Sequence, residues 1–201
     1  MGLERRAVTI DRKSEILAVA ARLFREKGYM SASLDDITSE IGITKPAIYY
    51  YFRAKEDILF EICITQINNL TNQAKAIADS DLNLVGKIMK MFENHVLQFH
   101  LQRDNAETYL REAAYLSLER RKYVSNLLKI YESFICEHVD QAIREGIFRP
   151  VDSKQVVRGI GGMCNWVGNW YTPDGDHDIN YIAQAYIDFI LHGLLAEKKA
   201  E

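Results

Sequence analysis

Apolar residues recur at intervals of three and four along almost the whole chain, and residues that would interrupt a helix are scarce. Only three prolines occur in 201 residues, Pro46, Pro150 and Pro173. No stretch alternates apolar and polar residues as a half-buried strand does. The chain is therefore expected to be all-α. Ile16, Ala20, Leu23 and Phe24 make one stripe on a first helix of about Asp11–Lys27, and Gly28 fits its C-terminal stop. Ser33-Leu-Asp-Asp36 reads as a capping box that opens a short second helix carrying Leu34, Ile37 and Ile41 and ending at Gly42. Thr44 can cap a third short helix, with Pro46 tolerated in its first turn. After the tight connection Phe52-Arg53-Ala54, the pattern predicts long helices over about Lys55–Ala78, Leu84–Gln102, Ala106–Leu118, Arg120–Glu145, Ser153–Tyr171 and Ile179–Glu197. Breaks fall at Asp79-Ser-Asp81, Arg103-Asp-Asn105, Gly146 to Asp152 and Thr172-Pro-Asp-Gly175.

Composition narrows the class. Hydrophobic content of 48% and charged content of 26% are those of a globular chain. No run of about 18 apolar residues is present, so no transmembrane helix is expected. The N-terminus lacks an apolar signal core, and Arg6 stands where a myristoylation signal wants Ser or Thr. A cytoplasmic protein is expected. Cys63, Cys136 and Cys164 are odd in number and set in apolar periodic runs, which fits buried free thiols. The net charge of −3 argues neither for nor against nucleic acid. Residues 1–60 carry 10 Lys/Arg against 9 Asp/Glu, so any nucleic-acid contact must come from local arrangement.

That arrangement is found in residues 43–52, ITKPAIYYYF. At 100° per residue, Ile48 and Phe52 share one face with Tyr51 at its edge, while Tyr49 and Tyr50 point away from it. Two short helices joined by Gly42-Ile43-Thr44 form a helix-turn-helix, whose second helix can enter the DNA major groove. The Thr44 and tyrosine hydroxyls can donate to phosphate oxygens, and Lys45 can reach a phosphate or a guanine edge. Ser33 and Lys55 stand at helix N-termini, where free amides and the helix dipole favour phosphate. Packing of Tyr49 and Tyr50 against another part of the domain is the competing reading.

The stretch Ile16-Leu17, Ala20-Ala21, Leu23-Phe24, Gly28-Tyr29, Ser33, Ile37, Gly42-Ile43-Thr44-Lys45, Ile48-Tyr49, Phe52 and Lys55-Glu56 resembles the DNA-binding domain of TetR-family transcriptional regulators over about residues 12–60. The resemblance implies phosphate contacts at Ser33 and Lys55, a recognition helix opened by Thr44, base and phosphate contacts at Lys45, Tyr49 and Tyr50, and a core role for Phe52. The sequence departs from the family pattern in four places. Thr38 and Ile41 stand where alanine is usual, Pro46 where glycine is frequent, and Ala54 where a serine usually caps the next helix.

A single helix-turn-helix buries little DNA, so a dimer reading two half-sites about 34–36 Å apart is expected. The last two helices suit that role. Gly159, Gly161, Gly162 and Gly168 lie within one predicted helix, where each glycine costs up to about 1 kcal/mol. Close approach of another helix is one reason for them, and room for a ligand is another. Ile182, Tyr186, Phe189 and Gly193 make a stripe on the final helix, either a dimer interface or a core face. In TetR-like proteins the last two helices form a four-helix interface. Asn165-Trp166-Val-Gly168-Asn-Trp170-Tyr171, with Gly146-Ile-Phe148-Arg149-Pro150, resembles the C-terminal domain of the FadR- and KstR-type branch over about residues 105–195. That branch represses lipid or steroid catabolism and responds to acyl-CoA thioesters. It implies a long apolar cavity with a basic mouth. Phe99, Tyr109, Tyr131, Phe134, Trp166 and Trp170 are the candidate lining residues, with core packing as the competing role of the tryptophans. Arg111 and Arg158 are the candidate anion partners, each with an ion pair inside the fold as its competing role.

An enzyme is not supported. There is no Glu-x-x-His pair for a di-iron site, no nucleophile elbow and no P-loop, and the five histidines show no metal spacing. No cofactor or metal is expected. The expectation is a homodimeric repressor in which residues 1–54 bind a palindromic double-stranded operator. Residues 55–201 bind an acyl-CoA or another small hydrophobic effector and dimerise. A regulator of an efflux gene that answers to drugs or aromatic compounds is the alternative.

Overall fold

The computed structural model describes residues 2–196. These residues form nine α-helices and one 3-10 turn, with no strand among them. They fall into two compact units, and the chain passes from one to the other three times. The first holds the residues up to Gln66 together with Arg103–Val124, and the second holds Ile67–Gln102 and the chain from Ser125 onward. This division by packing does not coincide with the expected boundary after residue 54.

In the first unit, α1 (Gly2–Lys27) begins well before Asp11, because no glycine or proline interrupts residues 3–27. Ile16, Ala20 and Phe24 are fully buried along it. Gly28 takes a φ of 81°, the left-handed cap that a glycine adopts without strain. α2 (Leu34–Ile41) opens on the expected capping box, with the Ser33 hydroxyl accepting from the Asp36 amide and the Asp36 carboxylate accepting from the Ser33 amide. α3 (Lys45–Tyr51) follows after Gly42, and then α4 (Lys55–Ala78), whose first half belongs to this unit.

α6 (Arg103–Glu112) and the 3-10 turn Ala113–Tyr115 complete the first unit with the start of α7 (Leu118–Arg144). The Arg103-Asp-Asn105 stretch is the first turn of a helix and not a break. Arg103 pairs with Glu107 one turn on, and Asp104 receives Arg25 of α1 at 2.6 Å. The Thr108 hydroxyl donates to the Ala21 carbonyl at 2.9 Å, and the Tyr29 amide donates to the Glu112 carboxylate. α6 stops earlier than its apolar pattern predicts, because Leu116 turns extended and the Ser117 amide is taken by Glu56.

The second unit is built on α5 (Leu84–Leu101), which packs on both α8 (Ser153–Trp170) and α9 (Ile179–Leu194). Its core includes Ile88, Phe92, Val96, Val139, Val157, Cys164 and Ala183. α7 ends at Gly146 (φ 71°), with the Ile147 amide donating back to Ala142. α9 ends at Leu194 because Leu195 pairs with Phe148 in a single antiparallel bridge, and the expected end at Glu197 lies outside the described residues. Cys63 and Cys164 are buried and Cys136 is half-buried, all three as free thiols. Burial pushes the Cys63 and Cys164 thiols up to about 12. No described helix is long and apolar enough to cross a membrane.

Candidate nucleic-acid interface and effector cavity

The recognition segment divides as its periodicity requires. Ile48 and Phe52 are buried, Tyr51 is half-buried, and Tyr49 and Tyr50 are 47% and 77% exposed. Thr44 caps α3 by position alone, since its hydroxyl makes no cap hydrogen bond, and this leaves the hydroxyl available for another acceptor. Lys45 is exposed and pairs with Asp35 at 2.9 Å, a hydrogen bond that raises its pKa. Both partners are solvated, so a phosphate can compete for the ammonium.

Two of the expected phosphate contacts are engaged within the fold. The Ser33 hydroxyl donates to Asp36 at 2.6 Å. That hydrogen bond, with Lys27 and the Ser33 amide, holds the Asp36 carboxyl well below the usual carboxylate range. The Lys55 ammonium donates to the carbonyls of Tyr29 (2.6 Å) and Ala32 (2.7 Å) and lies 4.4 Å from the Tyr29 ring centre. Desolvation lowers its pKa. Lys55 thus ties the loop between α1 and α2 to the start of α4. The position left uncapped by Ala54 is served from inside the helix, where Asp57 accepts the Arg53 and Ala54 amides at 2.9 Å each. Asp57 also receives Arg120 of α7.

A cavity of about 210 Å³ lies in the second unit. Of the six expected lining residues and two expected anion partners it takes Tyr131 and Arg158, together with His95, Asn165, Gly161 and Gly162. Its polar end is a chain of hydrogen bonds in which Tyr131 Oη lies 3.2 Å from His95 Nδ1, and His95 Nε2 lies 2.9 Å from Asn165 Oδ1. An amide oxygen only accepts, so Nε2 carries the proton and Nδ1 accepts from the tyrosine. Burial lowers the His95 pKa and keeps the ring neutral. Arg158 pairs with Glu132 at 3.5 Å.

The remaining expected lining residues lie elsewhere. The buried Phe99 ring packs against Gly168, where an added Cβ would come within 2.7 Å of it. The Phe134 ring lies against His138, with centroids 4.9 Å apart and planes tilted by 57°. Tyr109 and Arg111 are on α6 in the first unit, where Arg111 pairs with the buried Glu107 at 3.2 Å. Trp166 and Trp170 are 62% and 47% exposed. The cavity that Tyr131 and Arg158 line is smaller and more polar than the long apolar space expected. The space is compact and its far end is polar, because His95 sits on the apolar stripe of α5 between Phe92 and Phe99. That placement is the legible sign of His95, a polar residue, like Gln98 one turn on, in register with a buried face.

The final stripe also divides. Ile182 is buried and Tyr186 half-buried, whereas Phe189 (72% exposed) and Gly193 line a shallow apolar groove with Gly159, Ile160 and Met163.

Residues 16–62 match the model for bacterial regulatory proteins of the tetR family, and residues 81–194 match the tetracyclin repressor-like C-terminal domain. The chain is 28% identical over 195 residues to the HTH-type transcriptional repressor KstR2 of Mycobacterium tuberculosis, covering 92% of this chain and 94% of that protein. The structure of PfmR, a TetR-family regulator from Thermus thermophilus, aligns with a TM-score of 0.82 at 30% identity, covering 91% of this chain and 99% of PfmR. That of AibR in complex with isovaleryl coenzyme A and operator DNA aligns with a TM-score of 0.81 at 28% identity, covering 89% and 97%. With a helix-turn-helix in its first unit and both family domains matched in order, the chain belongs to the TetR family of transcriptional regulators, DNA-binding proteins and not enzymes.

Proposed function

We propose that the protein is a repressor of lipid or related acyl catabolism that holds its operator as a homodimer and releases it when an acyl-CoA enters the second-unit cavity. The observation that carries this reading is the neutral Tyr131–His95–Asn165 chain at the end of a cavity. It occurs in a chain similar over most of its length to AibR, whose structure holds an acyl-CoA and operator DNA. Tyr49, Tyr50, Thr44 and Lys45 contact the operator, and Ser33 and Lys55 hold the surrounding loops in place. Residues 1–54 are the DNA-binding part, and the rest of the chain serves effector binding and dimerisation. The groove bearing Phe189 and Gly193 is the dimer contact, so the operator is palindromic. The protein works in the cytoplasm, where its operator is.

Release is a population shift. The effector prefers a conformer whose two recognition helices no longer match one turn of DNA. Reversing a 99:1 balance takes about 5.5 kcal/mol of differential affinity. α4 is the expected carrier, because it contributes to both units. The test is a gel-shift titration on the promoter of the protein's own gene with acyl-CoA thioesters, free fatty acids and a cationic dye. Release by a thioester class is the expected result. Release by the dye alone would favour a drug-responsive regulator.

A further inference from the structure

We infer that the cavity selects a short acyl group, and that the Asn165 amide N–H2 donates to the thioester carbonyl of that group. This deepens the effector reading above and rests on it. Three observations support it. The first is size. At about 210 Å³ the cavity is smaller than the roughly 300–1,000 Å³ of sites that hold drug-sized ligands, so a long chain or a fused ring system does not fit inside it.

The second is how that space is kept. Gly161 and Gly162 line the cavity, and a Cβ built on either meets nothing within 4 Å. Gly168 on the same helix would strike Phe99. The first pair leaves room, whereas Gly168 serves close packing. A branched acyl group fills the volume that side chains at 161 and 162 would occupy.

The third is polarity. Asn165 Oδ1 is occupied by His95, and the Asn165 amide N–H2 has no protein partner among the described residues. Two donors therefore remain where a carbonyl oxygen can accept. The charged residues of the cavity, Arg158 and Glu132, pair with each other at 3.5 Å. Both also border an outer groove of about 640 Å³ in which Lys129 and Lys154 stand beside Glu137 and Asp140, so its charged lining is balanced and not basic.

The experiment is calorimetric titration of the full-length protein with isovaleryl-CoA, butyryl-CoA, palmitoyl-CoA and a steroid-ring acyl-CoA, paired with DNA release by each. The two short thioesters are expected to bind at least about tenfold more tightly than the other two. Gly161→Val should keep DNA affinity and thermal stability, since valine is a better helix former than glycine, yet weaken isovaleryl-CoA binding about tenfold or more. Asn165→Leu should weaken binding of every short thioester. Equal or tighter binding of palmitoyl-CoA or the ring-bearing thioester would overturn the inference and leave the effector reading intact. Unchanged affinity in both variants would overturn it as well. Failure of every thioester to bind would remove the effector reading and this inference with it.

Discussion

Tyr49, Tyr50 and Tyr51 are neighbours in sequence and do not share one environment, because each step along a helix turns the side chain by 100°. Tyr49 and Tyr50 are presented outward, and the half-buried Tyr51 meets the Tyr50 ring edge-on at 5.0 Å. A hydrogen bond to a charged group contributes about 1.5–3 kcal/mol. Tyr49→Phe should therefore weaken binding to operator and to unrelated duplex alike, by roughly tenfold or more. Fluorescence anisotropy on both duplexes at one salt concentration checks this, and an unchanged affinity would remove the phosphate role. His95 makes a second prediction at this scale. Burial holds its pKa below the ordinary 6.5, so below that pH the unfolded chain takes up a proton that the folded chain refuses. The stabilisation is complete above pH 6.5 and is lost as pH falls toward the folded value. Unfolding free energy should drop by up to about 1.4 kcal/mol per pH unit in that window. Urea melts between pH 7.5 and 5 should show this slope in the parent and a flatter one in His95→Gln.

α8 shows how one helix answers several demands at once. Cys164 and Val167 face the protein's own core, Val157, Gly161, Gly162 and Asn165 line the cavity, Ile160 borders the apolar groove, and Trp166 and Trp170 face outward. Its glycines were legible as anomalous in the sequence, but their separate reasons were not. Substitution should separate them by sign. Gly168→Ala should destabilise by about 1–3 kcal/mol through the clash with Phe99. Gly161→Ala should stabilise by up to about 1 kcal/mol, because its Cβ enters open space and alanine is the better helix former. Thermal unfolding of the two variants beside the parent tests both, and a fall in stability for Gly161→Ala would mean that the helix needs a glycine there for another reason.

For the whole molecule, the consequential surface is the apolar groove of α8 and α9. Phe189 is 72% exposed there, beside Gly159 and Gly193, which offer no side chain to cover it. A large exposed aromatic in such a groove is the mark of an interaction surface. Phe189→Asp should shift the protein to monomers in sedimentation velocity. Operator affinity should then fall toward the roughly 10⁻⁴–10⁻⁶ M of non-specific binding, because one half-site no longer positions the other. Retained dimers with full affinity would place the dimer contact elsewhere. Arg103–Val124 packs as part of the first unit, fastened by Arg25–Asp104, Thr108–Ala21 and Glu56–Ser117.

The helix-turn-helix was readable from the sequence alone because its signals are local. A capping box spans four residues, a left-handed glycine cap depends on one, and an outward tyrosine follows from helical phase. The all-helical class followed from periodicity on the same scale. The cavity of the second unit was not readable to the same depth. Tyr131 and Arg158 line the cavity of the second unit and Phe99 packs against Gly168, whereas His95 and Asn165, which also line that cavity, do not stand out from the sequence as candidate ligand contacts. Helices with apolar residues on more than one face do not declare which face meets the core, which a ligand and which a partner. Only the packing of α5, α7 and α8 against one another decided it, since a cavity is defined by distances between residues far apart in the chain, and no local pattern encodes those distances.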